Sequence, residues 1–248
     1  MNTGRLSWHF SADRVMKKRG AKDLRKKKTL GRLKVPEIPG HAWACLAASL
    51  SVQLLVYFGT RLLLPGRTLY HLESAWDLRI PVIPCWILIY YLAFASWLVS
   101  ALVIFSGEKR LAVRFACAYI CALLVSGVFF LLWPGTLTRP EVAGSDVFSA
   151  LLRGLYETDS PTNLCPSLHV MISYFCWRGL RIRREIPAWC RRVNLVFLVL
   201  VCFSILFIKQ HVLIDIPAAV LVGELSLQGM NRWKPERLFL RKESEEKI

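Results

Sequence analysis

A lysine, a histidine and an aspartate interrupt an apolar stretch near the carboxyl end of the chain, in the sequence KQHVLIDIP that begins at Lys209. An ionisable side chain inside a membrane segment costs about 2.5 to 3.5 kcal/mol on insertion scales, and such residues are therefore candidate functional sites. His211 and Asp215 are four residues apart, which predicts that they share one face of a helix. A carboxylate beside one imidazole nitrogen fixes the tautomer and leaves the other nitrogen free to attack or to take a proton. The alternative is a polar bridge between helices.

A second polar cluster reads NLCPSLHV, from 163 to 170, directly before another apolar run. Pro166 suits the first turn of a helix, where its missing N–H costs nothing. We then expect unpaired N–H groups at Ser167, Leu168 and His169, and a helix start of this kind binds phosphate. Taken alone, the segment is equally well explained as a helix cap.

A third cluster reads WPGTLTRP and follows a third apolar run. Its Arg139 can bind two phosphate oxygens at once through its planar guanidinium group. An isolated arginine in a loop is more often simply solvated.

The elements that must position these residues are apolar runs of roughly membrane-spanning length. The chain has 248 residues, a mean hydropathy of +0.40 and a net charge of +16, so its apolar and basic residues must be segregated. The runs predict an all-α integral membrane protein with a six-helix bundle, and they cover 42–64, 81–105, 112–133, 166–180, 193–208 and 212–230.

Basic residues predict the orientation of this bundle, because the cytoplasmic flanks of membrane helices collect Lys and Arg. Most of the 33 basic residues lie in four stretches of the chain: before residue 41, at 109–114, at 178–192 and after residue 231. Both termini are therefore expected in the cytoplasm, and the loops near 65–80, 134–165 and 209–211 on the opposite face. The sequence therefore predicts a multi-pass protein of the plasma (inner) membrane whose polar clusters face outward.

The predicted organisation has three parts: a basic, disordered cytoplasmic arm at 1–40, a membrane domain at 41–231 and a charged cytoplasmic tail at 232–248. The arm can attract anionic headgroups or act only as a solvated tail that fixes topology. Nucleic acid is not an expected partner, because the arm has no interleaved aromatic residues and is tethered to a membrane.

All three polar clusters fall on the same predicted side of the membrane. A cationic anchor at Arg139, a helix start at 167 and the two imidazoles of His169 and His211 suit a phosphate ester whose tail lies in lipid. The expected partner is therefore a lipid phosphate or phospholipid substrate.

At these residues the sequence resembles the type 2 phosphatidic acid phosphatase (PAP2) superfamily of membrane lipid phosphatases and headgroup transferases. Its pattern KxxxxxxRP, PSGH and SRxxxxxHxxxD is matched by Arg139 with Pro140, by PSLH at 166–169, and by Ser204, His211 and Asp215. The resemblance covers about residues 112–225, and the six-helix layout extends it over the membrane domain.

The resemblance implies a mechanism. His211 would attack phosphorus and form a phosphohistidine, Asp215 would orient it, and His169 would protonate the leaving oxygen. The phosphate would be bound by a separate group of residues, Arg139, Ser167 and Lys209. No cofactor and no metal is implied.

The sequence departs from the family pattern at three places. Leu132 stands for the first-motif lysine, Ile205 for the third-motif arginine and Leu168 for the glycine. Lys209 is in a position to replace one of the missing cations, which resembles the inositol phosphorylceramide synthase branch. Fewer cations weaken the binding of a dianionic monoester more than that of a monoanionic diester.

Three readings therefore stay open beside a lipid phosphatase. The first is a headgroup transferase that uses a lipid hydroxyl in place of water. The second is an inactive membrane scaffold that keeps the histidines without turnover. The third is a metal site in which His169, His211 and Asp215 form a facial triad.

Overall fold

A computed structural model describes residues 38–239 of the chain, and these residues are mostly helical. The helices are α1 (Gly40–Leu62), α2 (Ala75–Arg79), α3 (Ile87–Phe105), α4 (Lys109–Leu132), α5 (Val147–Thr158), α6 (Leu168–Ile182), α7 (Ala188–Phe207) and α8 (Asp215–Trp233). A 3-10 turn at Pro84–Trp86 leads into α3, and two short strands, β1 (Tyr70–His71) and β2 (Gly135–Thr136), lie in loops.

Each of the six predicted apolar runs corresponds to one long helix. Four helices in the described part are long and apolar enough to cross a membrane: Gly40–Leu62, Pro84–Phe105, Lys109–Leu132 and Ala188–Phe207. The α6 helix has 15 residues and is about 22 Å long, which is shorter than the hydrocarbon core of about 30 Å. The structure therefore supports an all-α membrane protein with four candidate spans.

The α7 helix is longer than the apolar run that predicted it. The α7 helix begins at Ala188, five residues before the apolar run predicted from 193, and includes two arginines in its first turns. The predicted boundary between 40 and 41 falls at the start of α1, and the one between 231 and 232 falls near the end of α8. Most of the predicted arm at 1–40 lies outside the described residues, and so does the tail after residue 239.

The loops at one end of the helices are joined to each other by backbone hydrogen bonds. The β1 strand after α1 pairs in parallel with β2 after α4, with Tyr70 opposite Gly135. The N–H of Ile83, just before α3, donates to the carbonyl of Phe207, the last residue of α7, at 3.0 Å. This end therefore gathers the loops that carry the three predicted polar clusters.

A polar network attaches the loop before α6 to the end of α1. Arg61 pairs with the carboxylate of Asp159 at 3.0 Å and donates to Ser160 at 2.6 Å. The side chain of Asn163 donates to the carbonyl of Tyr57 at 3.0 Å. The entry into α6 is thus fixed against α1 before the PSLH residues are reached.

The opposite end of the helices is joined by an ion pair and by a hydrogen bond to a backbone carbonyl. The Arg114 guanidinium binds the carboxylate of Glu236, which is 2% exposed, and His41 contacts the carbonyl of Gly107 at 3.0 Å. Within the bundle, Glu224 accepts from Tyr174 at 2.5 Å and from Arg178 at 3.0 Å. These groups hold α4, α6 and α8 in register.

The close packing of the helices can be tested at Gly179 in α6. A Cβ atom there would lie 2.9 Å from Phe115 and 2.5 Å from Ile104. Gly179→Leu should lower the free energy of unfolding by about 1 to 3 kcal/mol, because the core is already filled. The measurement is the unfolding midpoint of the purified protein in detergent.

The matched control is Gly229→Leu in α8, where an added Cβ meets nothing within 4 Å. This variant should unfold close to the wild-type midpoint. Equal losses in the two variants would contradict the packing described here.

Candidate functional site

His211 lies in the turn between α7 and α8 and not on a helix as the sequence spacing predicted. The N–H groups of Gln210 and His211 both donate to the carbonyl of Ile205, at 2.9 and 3.1 Å, and so cap the end of α7. Lys209 adopts a positive φ of 48°, which reverses the chain toward α8. The turn places His211 four residues before Asp215, the first residue of α8.

The predicted contact between His211 and Asp215 is present although its helical origin was wrong. The Nδ1 atom of His211 lies 2.9 Å from Oδ2 of Asp215, which also accepts the N–H of Val212 at 3.0 Å. Both side chains are buried, Asp215 completely. Because the carboxylate only accepts, the proton of neutral His211 lies on Nδ1, and Nε2 carries the lone pair.

The start of α6 differs from the prediction by two residues. Ser167 is the N-cap, its hydroxyl accepting from the N–H of Val170, and Pro166 therefore precedes the helix. The N–H of Ser167 was expected to be unpaired but donates to the carbonyl of Asp215 at 3.3 Å. The free amides expected at this helix start are therefore reduced to those of Leu168 and His169, which have no acceptor within the helix.

The two predicted imidazoles are in direct contact. Nδ1 of His169 lies 3.1 Å from Nε2 of His211, and the ring centroids are 5.3 Å apart. Since Nε2 of His211 carries a lone pair, the hydrogen bond is assigned as donated by His169 Nδ1–H. The two rings are therefore directly hydrogen-bonded, with no room for another group between these two nitrogens.

Aromatic residues of α3 surround His169 on its other sides. The hydroxyl of Tyr90 lies 3.0 Å from His169 Nε2, and the rings of Phe94 and Trp97 lie 6.5 and 5.8 Å from the imidazole. The indole N–H of Trp97 donates to Ser173 at 2.9 Å, and Ser173 donates to the carbonyl of His169. Both the ring and the backbone of His169 are therefore fixed.

Arg139 reaches the turn that carries His211. Its guanidinium donates to the carbonyls of Lys209 and Asp159 and to Oε1 of Gln210, the last at 3.0 Å. It also lies over the ring of Tyr156, 4.6 Å from the centroid. Burial lowers its pKa, and the negative charge of Asp159 partly offsets this shift. Two of its five N–H groups have no acceptor among the described residues.

The side chain of Lys209 points toward α2. Its ammonium donates to the carbonyl of Asp77 at 2.7 Å. Burial lowers its pKa, and the carboxylates of Asp77 and Glu73 partly offset that effect. Lys209, Glu73 and His211 line a small cavity of about 20 Å³, which is enough for roughly one water molecule.

Sequence reasoning missed three residues at this site. Tyr90 gave no signal because a tyrosine inside an apolar run looks like any other core aromatic, and Asp77 gave none because it lies in the short helix α2, remote in sequence. Gln210 is 4% exposed; its Oε1 accepts from Arg139, while its Nε2 has no partner among residues 38–239. A buried donor of this kind, adjacent to His211, could have been suspected from the polar run KQH alone.

The geometry argues against the facial-triad reading of the same three residues. Oδ2 of Asp215 contacts Nδ1 of His211, whereas the free lone pair of His211 is on Nε2, at the other end of the ring. One ion cannot be bound by that carboxylate oxygen and by Nε2 together. Among the described residues, no group of three His, Cys, Asp or Glu side chains has the geometry of a metal site.

Comparisons with protein-family models, with curated proteins and with solved structures find no significant match to this chain. The resemblance to the PAP2 superfamily therefore rests on the three sequence motifs alone.

The contacts of Asp77 predict how the His211 turn is stabilised. One carboxylate oxygen accepts the N–H of Leu213 at 2.7 Å, and the other accepts from Ser74 at 2.9 Å. Asp77→Ala should lower the free energy of unfolding by about 1 to 3 kcal/mol, because the charged carboxylate no longer accepts the hydrogen bonds from Leu213 and Ser74. It should also accelerate hydrogen exchange in peptides covering 208–214.

Glu157→Ala removes an exposed carboxylate from α5 and serves as the control. Its exchange in the same peptides should equal that of the wild type. If Asp77→Ala likewise leaves this exchange unchanged, Asp77 does not stabilise the turn.

Proposed function

We propose that this chain is a membrane lipid phosphatase of the PAP2 superfamily, which hydrolyses a lipid phosphate ester through a phosphohistidine on His211. One observation carries the proposal: a continuous series of hydrogen bonds links His169 Nδ1, His211 Nε2 and Nδ1, and Asp215 Oδ2. It supplies an oriented nucleophile and, 3.1 Å away, a group able to give and take a proton.

In the first step, Nε2 of His211 attacks phosphorus and the bond from phosphorus to the lipid oxygen breaks. A phosphate monoester has a second pKa of about 6, so its monoanion brings one proton to the site. That proton makes His169 an imidazolium, protonated at Nε2 beside Tyr90, and the imidazolium gives its Nδ1 proton to the leaving oxygen. Asp215 stabilises the positive charge that develops on the phosphorylated ring of His211.

In the second step, water attacks phosphorus and the bond to His211 Nε2 breaks. Nδ1 of His169 accepts a proton from the water, and the ring then loses its Nε2 proton to the departing phosphate, so the neutral resting tautomer is restored. The net reaction consumes one water and releases an alcohol and inorganic phosphate. No group other than the two histidines changes its protonation state.

The phosphoryl oxygens are proposed to bind the groups around the His211 turn. Among the described residues, Arg139 has two N–H groups without an acceptor, and Gln210 has its unpartnered Nε2. The backbone N–H groups of Leu168 and His169, at the start of α6, are the remaining donors. Lys209 can turn from the carbonyl of Asp77 toward a bound phosphate. A cation and several neutral donors suit a site of limited negative charge.

An apolar groove supports a lipid as the substrate. It has a volume of about 220 Å³, lies between α1, α3, α4 and α6, and begins at Phe94 and Trp97, which also contact His169. Along α3 it continues to Phe105, about 16 Å further at 1.5 Å per residue. The exposed Leu50 and Leu98 flank its side, where a hydrocarbon chain in a bilayer would enter.

We further propose that six helices cross the membrane, α6 and α8 being the shorter two, with both termini in the cytoplasm and the histidines near the outer face. The distribution of basic residues supports this orientation. The short α6 helix starts below the membrane surface in this arrangement, so that the phosphoryl group meets His169 while the tail remains in lipid.

A headgroup transferase is the second candidate, and the small number of positively charged residues around the proposed phosphate site favours it. Near the His211 turn the described residues offer Arg139, Lys209 and the neutral amide of Gln210, where the family pattern has more cations. In that reaction a lipid hydroxyl replaces water in the second step, and His169 takes its proton.

The proposed function is tested by phosphate release from a panel of lipid phosphates in detergent micelles containing EDTA. The wild type should release phosphate or form a new diester, detected by mass, and His211→Ala should lose at least about 10,000-fold of the rate, as expected for a nucleophile. Background-level activity of the wild type on every substrate would favour a scaffold. Activity that is abolished by EDTA and restored by one divalent ion would contradict a metal-free mechanism.

His169→Ala should separate the two steps. With p-nitrophenyl phosphate the leaving group needs no proton, so the first step proceeds, whereas the second step lacks its base. We expect a burst of p-nitrophenolate and an acid-labile phosphoryl group on His211, measured by mass spectrometry of peptides kept at alkaline pH. An unphosphorylated His211 after the burst would contradict the covalent intermediate.

The orientation is tested with two natural cysteines at opposite ends of the helices. Cys85 is exposed beside the start of α3, and Cys190 lies in the first turn of α7. In right-side-out vesicles, a membrane-impermeant maleimide should label a variant that retains only Cys85. A variant that retains only Cys190 should react only after permeabilisation, and the reverse pattern would overturn the orientation.

A further inference from the structure

Among residues 38–239, the hydroxyl of Tyr90 makes the one hydrogen bond of the His169 ring that the proposed mechanism does not use. It lies 3.0 Å from Nε2, and Tyr90 is 4% exposed in the first turn of α3. We infer that Tyr90 is a positioning residue, which holds His169 with Nδ1 toward the phosphoryl group in both protonation states of the ring. The inference rests on the proposed function, since it assigns Tyr90 a part in that reaction.

The direction of each hydrogen bond follows from the carboxylate outward. Asp215 accepts from His211 Nδ1–H, so His211 Nε2 is an acceptor and His169 Nδ1 must donate to it. Nε2 of neutral His169 then carries a lone pair, and its partner must be a donor. The hydroxyl of Tyr90 supplies that donor, so the resting tautomer of His169 is fixed from both ends.

The same hydroxyl remains a partner when His169 is protonated. An imidazolium has N–H groups at both nitrogens, and the oxygen of Tyr90 can accept the new one because a phenol both donates and accepts. His169 gives and takes a proton in each turnover, so it needs a partner that bonds to both forms. A carboxylate, such as the one beside His211, only accepts and would hold the ring in the charged form.

The surroundings keep the Tyr90 hydroxyl in place. The ring of Tyr90 packs against His169 with centroids 4.9 Å apart and against Phe94, one turn along α3, at 5.6 Å. Phe94 in turn contacts Trp97, whose indole N–H is already used by Ser173. The aromatic side chains therefore allow the hydroxyl little room to move away from Nε2.

If the role of Tyr90 were purely structural, its hydroxyl would only be a hydrogen-bonded polar group in the core and would have no effect on proton transfer by His169. The two roles differ in their dependence on the leaving group. A structural defect slows every substrate alike, whereas a misplaced general acid slows only substrates whose leaving oxygen needs a proton.

The test compares Tyr90→Phe with the wild type in single-turnover experiments on dioctanoyl phosphatidic acid and on p-nitrophenyl phosphate. Because general acid catalysis contributes about 100- to 10,000-fold, we expect release of diacylglycerol to slow at least about tenfold at unchanged KM. The burst of p-nitrophenolate should remain within about twofold of the wild type, by the same argument.

Tyr91→Phe is the matched control, because it removes the same hydroxyl from the next residue of α3, which is 42% exposed. It should match the wild type on both substrates. Equal slowing of both substrates in Tyr90→Phe, or no slowing of either, would overturn the role of Tyr90. Since the wild type and His211→Ala are measured in parallel, inactivity of the wild type would identify a failure of the proposed function and not of Tyr90.

Discussion

The buried carboxylate of Asp215 is the constraint on which the rest of the site depends. A charge removed from water costs several kcal/mol unless it is paired and hydrogen-bonded. Here Oδ2 accepts from His211 Nδ1 and from the N–H of Val212. Asp215 is also the first residue of α8, where the helix dipole favours a negative charge. Because these groups are the compensation for burying the carboxylate, the position of His211 is set by the folding of α8.

The backbone of the same residue extends that constraint to a second helix. The carbonyl of Asp215 accepts the N–H of Ser167, the cap of α6, and so places the start of α6 beside the start of α8. His169 follows two residues later and meets His211 at 3.1 Å. Arg139, in the loop after β2, and Asp77, in α2, both form hydrogen bonds with the turn. The six residues predicted to act together are thus arranged by hydrogen bonds between helix ends.

The sequence allowed the helices and the main polar contacts to be predicted, because both follow from strong local signals. The apolar runs mark the long helices to within a few residues, apart from the start of α3, at Ile87 and not 81, and the start of α7, at Ala188 and not 193. The contact of His211 with Asp215 was predicted correctly from a spacing of four, although a turn and not a helix creates it.

The remaining features depend on tertiary contacts that no local pattern encodes. The pairing of the Ser167 amide requires α8 to lie beside α6, and the direction of Lys209 requires the carbonyl of Asp77, more than 100 positions away. Tyr90 likewise becomes distinct from other core aromatics only when α3 packs on His169. Similarly, whether α6 and α8 cross a bilayer depends on their neighbours, because their own length and composition do not mark them as spans.

The most direct test of the central claim is a structure of the protein with orthovanadate, which takes the geometry of a phosphoryl group in transfer. The account predicts vanadium bonded to Nε2 of His211, an axial oxygen within hydrogen-bonding distance of Nδ1 of His169, and an equatorial oxygen bound by Arg139. Vanadate bound elsewhere, with the hydrogen bond between the two imidazoles intact, would contradict it.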